Sequence, residues 1–423
     1  MIDYAINYIK KEDKFVLFIY LYFFLMPWNF FKGQMGALTV ILFIWWIFKY
    51  KKSIVNKIKE VFLFKPFILL FLFIIYCYIT ALWSDSIIAG LKYINSFNKY
   101  YFLFTPVLFT TLSKEEAINS IKIIVISFLS YSIFSILIYM GLFTIESTHS
   151  NMFNPKGIMG YAISTQYMAI GSISCFVFAL FSKSRKYKII FFLGSLLCFF
   201  SLFVNNSRTS QLSFILTIFS MFLIYFKNSI FKIKNMTILI STFLLIAILG
   251  YIFLEKTNKI NRYEVIGKDV SRVVEKGIYD GSIGTRIFFY KAGIETFIKN
   301  PFFGTGPLDN WEINKKMQKE NPNYVYPEYI GSFHSQHINI LTAFGLVGYL
   351  LLFFSVFYLI YKLKGNKQFF YVALSFYLPF FYISLANATI FKKPINYIFV
   401  SIFVLFGVII YKELINKKND NFK

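Results

Sequence analysis

Two histidines and two arginines stand out from a chain that is otherwise mostly apolar. His334 and His337 lie three residues apart in Ser332-Phe333-His334-Ser335-Gln336-His337, at the predicted start of a helix. That spacing lets the two rings share a face. Ser332 is placed to cap the helix. The positive end of a helix keeps a nearby imidazole neutral. A neutral imidazole is a general base near neutral pH, and the same helix end attracts phosphate. Arg208 sits in the polar run Asn205-Asn206-Ser207-Arg208-Thr209-Ser210 between two apolar segments. An ionisable group at that depth is a functional candidate by default. Arg286 recurs with Tyr290, Gly293 and Phe297 at helical spacing, so these four share one face. Arginine grips phosphate with a planar fork that lysine lacks, and only five of the 44 basic residues are arginine. Asn300-Pro301 ends that helix. Gly304-Thr305-Gly306-Pro307 is then a tight turn where backbone can approach a ligand closely. No Asp, Glu or Cys completes a metal set with the two histidines, and no P-loop, dinucleotide fingerprint or hydrolase elbow is present. We therefore expect neither a metal nor a cofactor, and a reaction driven by an activated donor.

The elements that must position these residues are membrane spans. The 423 residues are 57% hydrophobic and 22% aromatic, with a mean hydropathy of +0.60. A soluble domain of this length cannot hide that much apolar surface, so the class is all-α polytopic membrane protein. The net charge of +24 resides largely in lysines between apolar runs, which argues for a membrane surface and against nucleic acid. Cys77, Cys175 and Cys198 lie within apolar runs, so no disulfide framework is expected. On a ruler of about 20 apolar residues per span we count about twelve, near 15–31, 36–49, 66–83, 98–112, 120–142, 158–181, 188–204, 209–226, 235–254, 337–361, 368–388 and 393–411. With no internal repeat or linker, residues 1–423 read as one membrane domain. The first run reads as an uncleaved span.

Lysines follow every even-numbered span, which places both termini in the cytoplasm and the odd-numbered exits outside. The exception is Lys392-Lys393 on an outward loop, a pair that could serve an anionic ligand. Residues 255–333 then form one large outer loop carrying part of the site. Within it, Asn258 to Tyr279 reads as an amphipathic interfacial helix and Thr285 to Phe297 as a second helix. Arg208, Arg262, Arg272 and Arg286 all fall outside, against the usual bias, which suggests an anionic substrate such as a lipid pyrophosphate. Arg262 and Arg272 have a plainer reading as contacts to lipid head groups or as partners of Glu264 and Glu275. His149 reads as a polar loop residue, and Trp83-Ser84-Asp85 as an interfacial anchor at the end of the third span.

His334-Ser335-Gln336 followed by Gly345-Leu346-Val347-Gly348 resembles the histidine-led helix of the bacterial O-antigen ligase and polymerase superfamily. Arg286 followed by Asn300-Pro301-Phe302-Phe303-Gly304-Thr305-Gly306 resembles that family's Arg-helix-Pro-x-x-Gly-x-Gly pattern. Asn206-Ser207-Arg208-Thr209 and Ala81-Leu82-Trp83-Ser84-Asp85 resemble its Ser-Arg and Trp-Ser motifs. Many members have His-Asn where this chain has His334-Ser335, which leaves open whether His334 or His337 acts. The resemblance implies a GT-C-type glycosyltransferase in the bacterial inner membrane, with its site facing the periplasm. It implies an undecaprenyl-pyrophosphate-linked glycan as donor and a metal-independent inverting transfer. Arg208 and Arg286 would hold the pyrophosphate, with Gly304 and Gly306 close by. The first reading is an O-antigen ligase with a lipid A-core acceptor; a polymerase using the same donor is the alternative. A protein-glycosylating ligase is a third member of the class. A transporter of polyanionic lipid is disfavoured because no paired repeat is visible.

Overall fold

The computed structural model describes residues 13–31, 33–205, 207–227, 229, 232–256, 261–309, 315–316, 318–320, 322, 325 and 332–420. Its helices are α1 (Lys14–Leu25), α2 (Gln34–Tyr50), α3 (Ile54–Val61), α4 (Lys65–Thr80), α5 (Ile87–Thr111), α6 (Lys114–Tyr139), α7 (Tyr161–Phe181), α8 (Arg185–Val204), α9 (Arg208–Tyr225), α10 (Ile233–Lys256), α11 (Asn261–Lys276), α12 (Ser282–Lys299), α13 (Gln336–Lys362), α14 (Lys367–Ala386) and α15 (Lys393–Asp420). Every run expected to span falls on one of these helices. Among the described residues, eight helices are long and apolar enough to cross a membrane, so the protein is a helical, multi-pass membrane protein. At 12 and 17 residues, α1 and α2 are shorter than a span. Helix α5 runs for 25 residues rather than the short stretch read from its apolar half. Its polar start, with Lys92, Asn95, Asn98 and Lys99, is helical too, because Ser86 accepts from the Ala89 amide and caps it.

Local chemistry sets the boundaries. Ser113 and Glu116 form a reciprocal capping box that opens α6. Pro66 lies in the first turn of α4, where its missing amide hydrogen costs nothing. The lysine-rich stretch after α2 is not a plain loop. It folds as α3, whose Lys57 donates to the Thr110 carbonyl at 3.0 Å while Glu60 pairs with Lys412 at 3.4 Å.

Helix α15 is the central post. From Ile395 to Ile410 nearly every side chain is buried, including Phe399, Phe403 and Phe406. It packs on α5 and α6, while α7 is wrapped by α6, α8, α9 and α14. In lipid, apolar burial does not by itself drive helices together, so close packing and interhelical hydrogen bonds must. Helix α7 carries such bonds to three neighbours. Ser172 pairs with Ser195 of α8, Thr165 with Ser210 of α9 at 2.8 Å, and Ser174 with Ser375 of α14 at 2.8 Å. The starts of α7, α9, α13 and α15 and the end of α14 gather at one end of this bundle, where α12 packs on α13 and α11 packs on α12.

Candidate active site

The site is built around a break in α13. Gly345 adopts φ 63°, ψ −169° inside an otherwise continuous helix. That frees backbone groups on both sides, and the segment Pro301–Gly306 takes them up. Leu346 and Val347 amides donate to the carbonyls of Pro301 and Phe302, at 2.8 and 3.2 Å. In return, Thr305 and Gly306 amides donate to the carbonyls of Thr342 and Ala343, at 2.8 and 3.1 Å. Four bonds thus splice the turn into the broken helix. A Cβ on Gly345 would collide with the Phe302 carbonyl, and one on Gly304 would stand 2.6 Å from the Ala343 backbone. The close approach expected of Gly304 and Gly306 is therefore to the protein's own backbone. Their turn positions α13, and its Thr305 and Gly306 amides are already used.

The other side of this turn is held by a residue that sequence reasoning passed over. Asp309 is buried and accepts from the Ser84 hydroxyl at 2.8 Å and the Asp85 amide at 3.2 Å; Ser84 also donates to the Pro307 carbonyl at 2.9 Å. Burial pushes the Asp309 carboxyl above the usual range, with the Ser84 and Asp85 bonds pulling the other way. The Trp-Ser stretch read as an interfacial anchor is thus half of a clamp. Nothing in the local pattern around Asp309 signals a partner more than 220 residues away.

The two histidines do not share a face. Helix α13 starts one turn later than predicted from Ser332: its cap is Ser335, whose hydroxyl accepts from the Ile338 amide at 3.3 Å and donates to the Ser384 carbonyl at 3.1 Å. Ser332 instead accepts from the His334 amide and from Asn339. His334 lies before the helix with φ 50°, exposed, its ring stacked on Phe289 of α12 at 5.2 Å. A non-glycine residue in this region is strained, a state that collects at functional positions. His337 is inside the helix and buried. One ring nitrogen meets the Tyr349 hydroxyl at 3.0 Å and the other the Phe381 carbonyl at 2.9 Å, and its ring stacks on Phe353. With both nitrogens engaged in the core, His337 is placed to hold α13 against α14.

Among the described residues, the charges that act on His334 are those of Arg286 and Lys392, both positive. Burial, then the charges of Arg286 and Lys392, hold its imidazole below the ordinary histidine range. It is therefore neutral at pH 7 and able to accept a proton. Arg286, on α12, is half-buried and donates to the Ser282 carbonyl and hydroxyl at 2.8 and 2.7 Å. Its Nε is buried with no acceptor. Burial lowers its pKa, Tyr161 opposes, and Arg208 lowers it further, so Arg208 at the first turn of α9 lies within electrostatic reach. The structure thus brings Arg208, Arg286 and His334 together from three elements. Tyr290, predicted on the Arg286 face, donates to the Leu385 carbonyl and ties α12 to α14.

The remaining arginine of the outer segment that can be followed, Arg272, pairs with Asp280 at 2.7 Å rather than with Glu275. The side chain of Arg262 and the residue Asn206 fall outside the described residues. His149 ends a short turn between α6 and α7 with φ 51°. Beneath the site, a cavity of about 430 Å³ opens between α9, α13 and α14, lined by aromatic side chains including Phe353, Phe357, Tyr377 and Phe381.

No curated protein shows a significant match to this chain. A family model described as O-antigen ligase does match, over residues 193–353. That range takes in Arg208, Arg286, the Gly304–Gly306 turn, both histidines and the Gly345 break. The spliced turn and the histidine-arginine cluster therefore lie within the stretch that is similar to the O-antigen ligase family, a match that supports the O-antigen ligase superfamily, whose members are glycosyltransferase-like enzymes acting on lipid-linked glycans.

Proposed function

We propose that this protein is an O-antigen ligase, transferring a glycan from undecaprenyl pyrophosphate to a lipid A-core acceptor at the periplasmic face of the inner membrane. The observation that carries the reading is the cluster itself: a neutral histidine beside Arg286, whose buried Nε–H lacks an acceptor, with Arg208 close by. A buried donor without a partner calls for an explanation, and an anionic ligand supplies one. In this reading Arg286 and Arg208 bind the pyrophosphate and stabilise charge building on it. His334 takes the proton from an acceptor sugar hydroxyl. That oxygen attacks the anomeric carbon from the face opposite the pyrophosphate, the glycosidic C–O bond breaks, and the polyprenyl pyrophosphate leaves with the electron pair. Configuration inverts, and no metal is used. The aromatic cavity between α9, α13 and α14 is a suitable place for part of the donor's apolar tail. His334 is the base in this scheme because His337 has both ring nitrogens engaged in the core.

The test is made in cells lacking the protein, complemented with wild type, His334→Ala or His337→Ala. Surface polysaccharide and the carrier-lipid pool are resolved on gels. For a ligase, the deletion leaves the core bare while long chains accumulate on the carrier. His334→Ala does not restore transfer. Cores carrying a single repeat unit in the deletion identify a polymerase instead. Full rescue by His334→Ala removes the histidine mechanism.

A further inference from the structure

Of the two described cations whose charge acts on His334, Lys392 lies outside the matched range and has no place in the scheme above. It sits on the short connection between α14 and α15, and that connection is rigidly seated. Phe391 stacks on Phe97 of α5 at 4.0 Å, nearly parallel, and its amide donates to the Gln336 side chain at 3.4 Å, two residues beyond His334. Gln166 bonds the buried Thr389 at 3.0 Å, and Asn396 bonds the Ile390 carbonyl at 3.1 Å. Lys392 itself is exposed, and no described carboxylate pairs with it. The connection thus holds Lys392, with Lys393 beside it, next to the start of α13.

We infer that Lys392 is a substrate-contacting residue that meets the negative charge released on the leaving diphosphate. This rests on the glycosyl-transfer reading of the same site. The chemistry sets the demand. A diphosphate esterified at both ends carries one negative charge on each phosphorus. When the anomeric C–O bond breaks, its electron pair stays on the bridging oxygen, so the departing polyprenyl diphosphate gains a third negative charge. Two arginines match the bound donor; a third cation matches the charge that exists only as the bond breaks. An interaction that strengthens in the transition state accelerates the step rather than tightening the ground state. Lys392 also helps keep His334 unprotonated, together with burial and Arg286.

The test uses the full chain in nanodiscs, as wild type, Lys392→Gln and Lys392→Arg. Binding of polyprenyl diphosphate and of polyprenyl monophosphate is measured beside transfer kinetics with a lipid-linked glycan donor. Lys392→Gln is expected to lower kcat about tenfold with KM for the donor little changed. It should weaken diphosphate binding by about tenfold, and monophosphate binding far less. The acid limb of its kcat/KM profile should move to higher pH, because a positive charge near His334 is removed. Lys392→Arg should restore most of the rate. Because Lys392 is exposed, its loss leaves the fold intact, checked by the same elution profile for all three proteins. Unchanged kcat and diphosphate affinity in Lys392→Gln overturn the inference. If wild type binds polyprenyl diphosphate in a Lys392-dependent way but transfers no glycan, the transfer reading fails while the diphosphate contact stands.

Discussion

At the scale of the residue, the site separates two arginines by what they touch. Arg272 is spent on Asp280, an exposed pair worth little to stability. Arg286 is held by Ser282 at its outer nitrogen and keeps a buried Nε–H without an acceptor. A guanidinium fixed this way offers its planar edge to a phosphate. Arg286→Lys is therefore expected to be nearly as damaging as Arg286→Ala, each lowering kcat/KM on the order of 100-fold, as loss of a donor to developing charge does. Steady-state kinetics of both variants check this; wild-type activity in the lysine variant counts against a pyrophosphate clamp. His334 and His337 differ for the same kind of reason. They have the same side chain three residues apart, yet one stacks on Phe289 before the helix starts and the other is bonded at both nitrogens inside it.

At the scale of the element, the break at Gly345 explains two motifs at once. The Pro-x-x-Gly-x-Gly turn and the Gly-x-x-Gly of α13 are the two halves of one splice. Helix α13 must open there to receive Pro301–Gly306. Its first two and a half turns are then held by α12, α14 and the turn rather than by the rest of the span. Gly345→Ala puts a side chain at φ 63°, at about 1–3 kcal/mol for the backbone alone. It also drives a Cβ into the Phe302 carbonyl. The variant is expected to show a clearly lower midpoint of thermal aggregation and poor yield. A thermal midpoint equal to wild type would falsify the splice as a structural joint. Asp309 acts on the same turn from its other side through Ser84 and the Asp85 amide.

At the scale of the whole molecule, the bundle's task is to bring α9, α12, α13 and the α14–α15 connection to one end in a fixed arrangement. Hydroxyl pairs such as Thr165–Ser210 and Ser174–Ser375 tie α7 to α9 and α14. Each contributes only about 0.6 kcal/mol in a membrane, so the arrangement depends on many such contacts and on the aromatic packing around α15. The proposed transfer needs protonated side chains and one neutral imidazole. Chelation with EDTA is accordingly expected to leave the transfer rate of the purified protein within about twofold, since in the proposed transfer His334, Arg286 and Arg208 supply the base and the charge. Loss of activity on chelation, restored by one divalent ion, would show that charge on the leaving group is met by a metal.

The helices and the candidate site residues were legible in the sequence because they depend on local composition. Runs of apolar residues near span length mark helices whatever they pack against, and Asn300-Pro301 ends α12 wherever α12 lies. The outnumbered arginines and the Gly-x-Gly turn are visible as residue types. What tertiary structure decided is which of these groups face each other. Ser335 rather than Ser332 caps α13 because its hydroxyl also reaches the Ser384 carbonyl of α14. Gly304 and Gly306 meet the protein's backbone because α13 breaks beside them. Asp309 and Lys392 carry no local pattern; their partners stand on helices far away in the chain. Hydrogen bonds and charges act through space at a few ångströms, and only the packing of the bundle sets those distances.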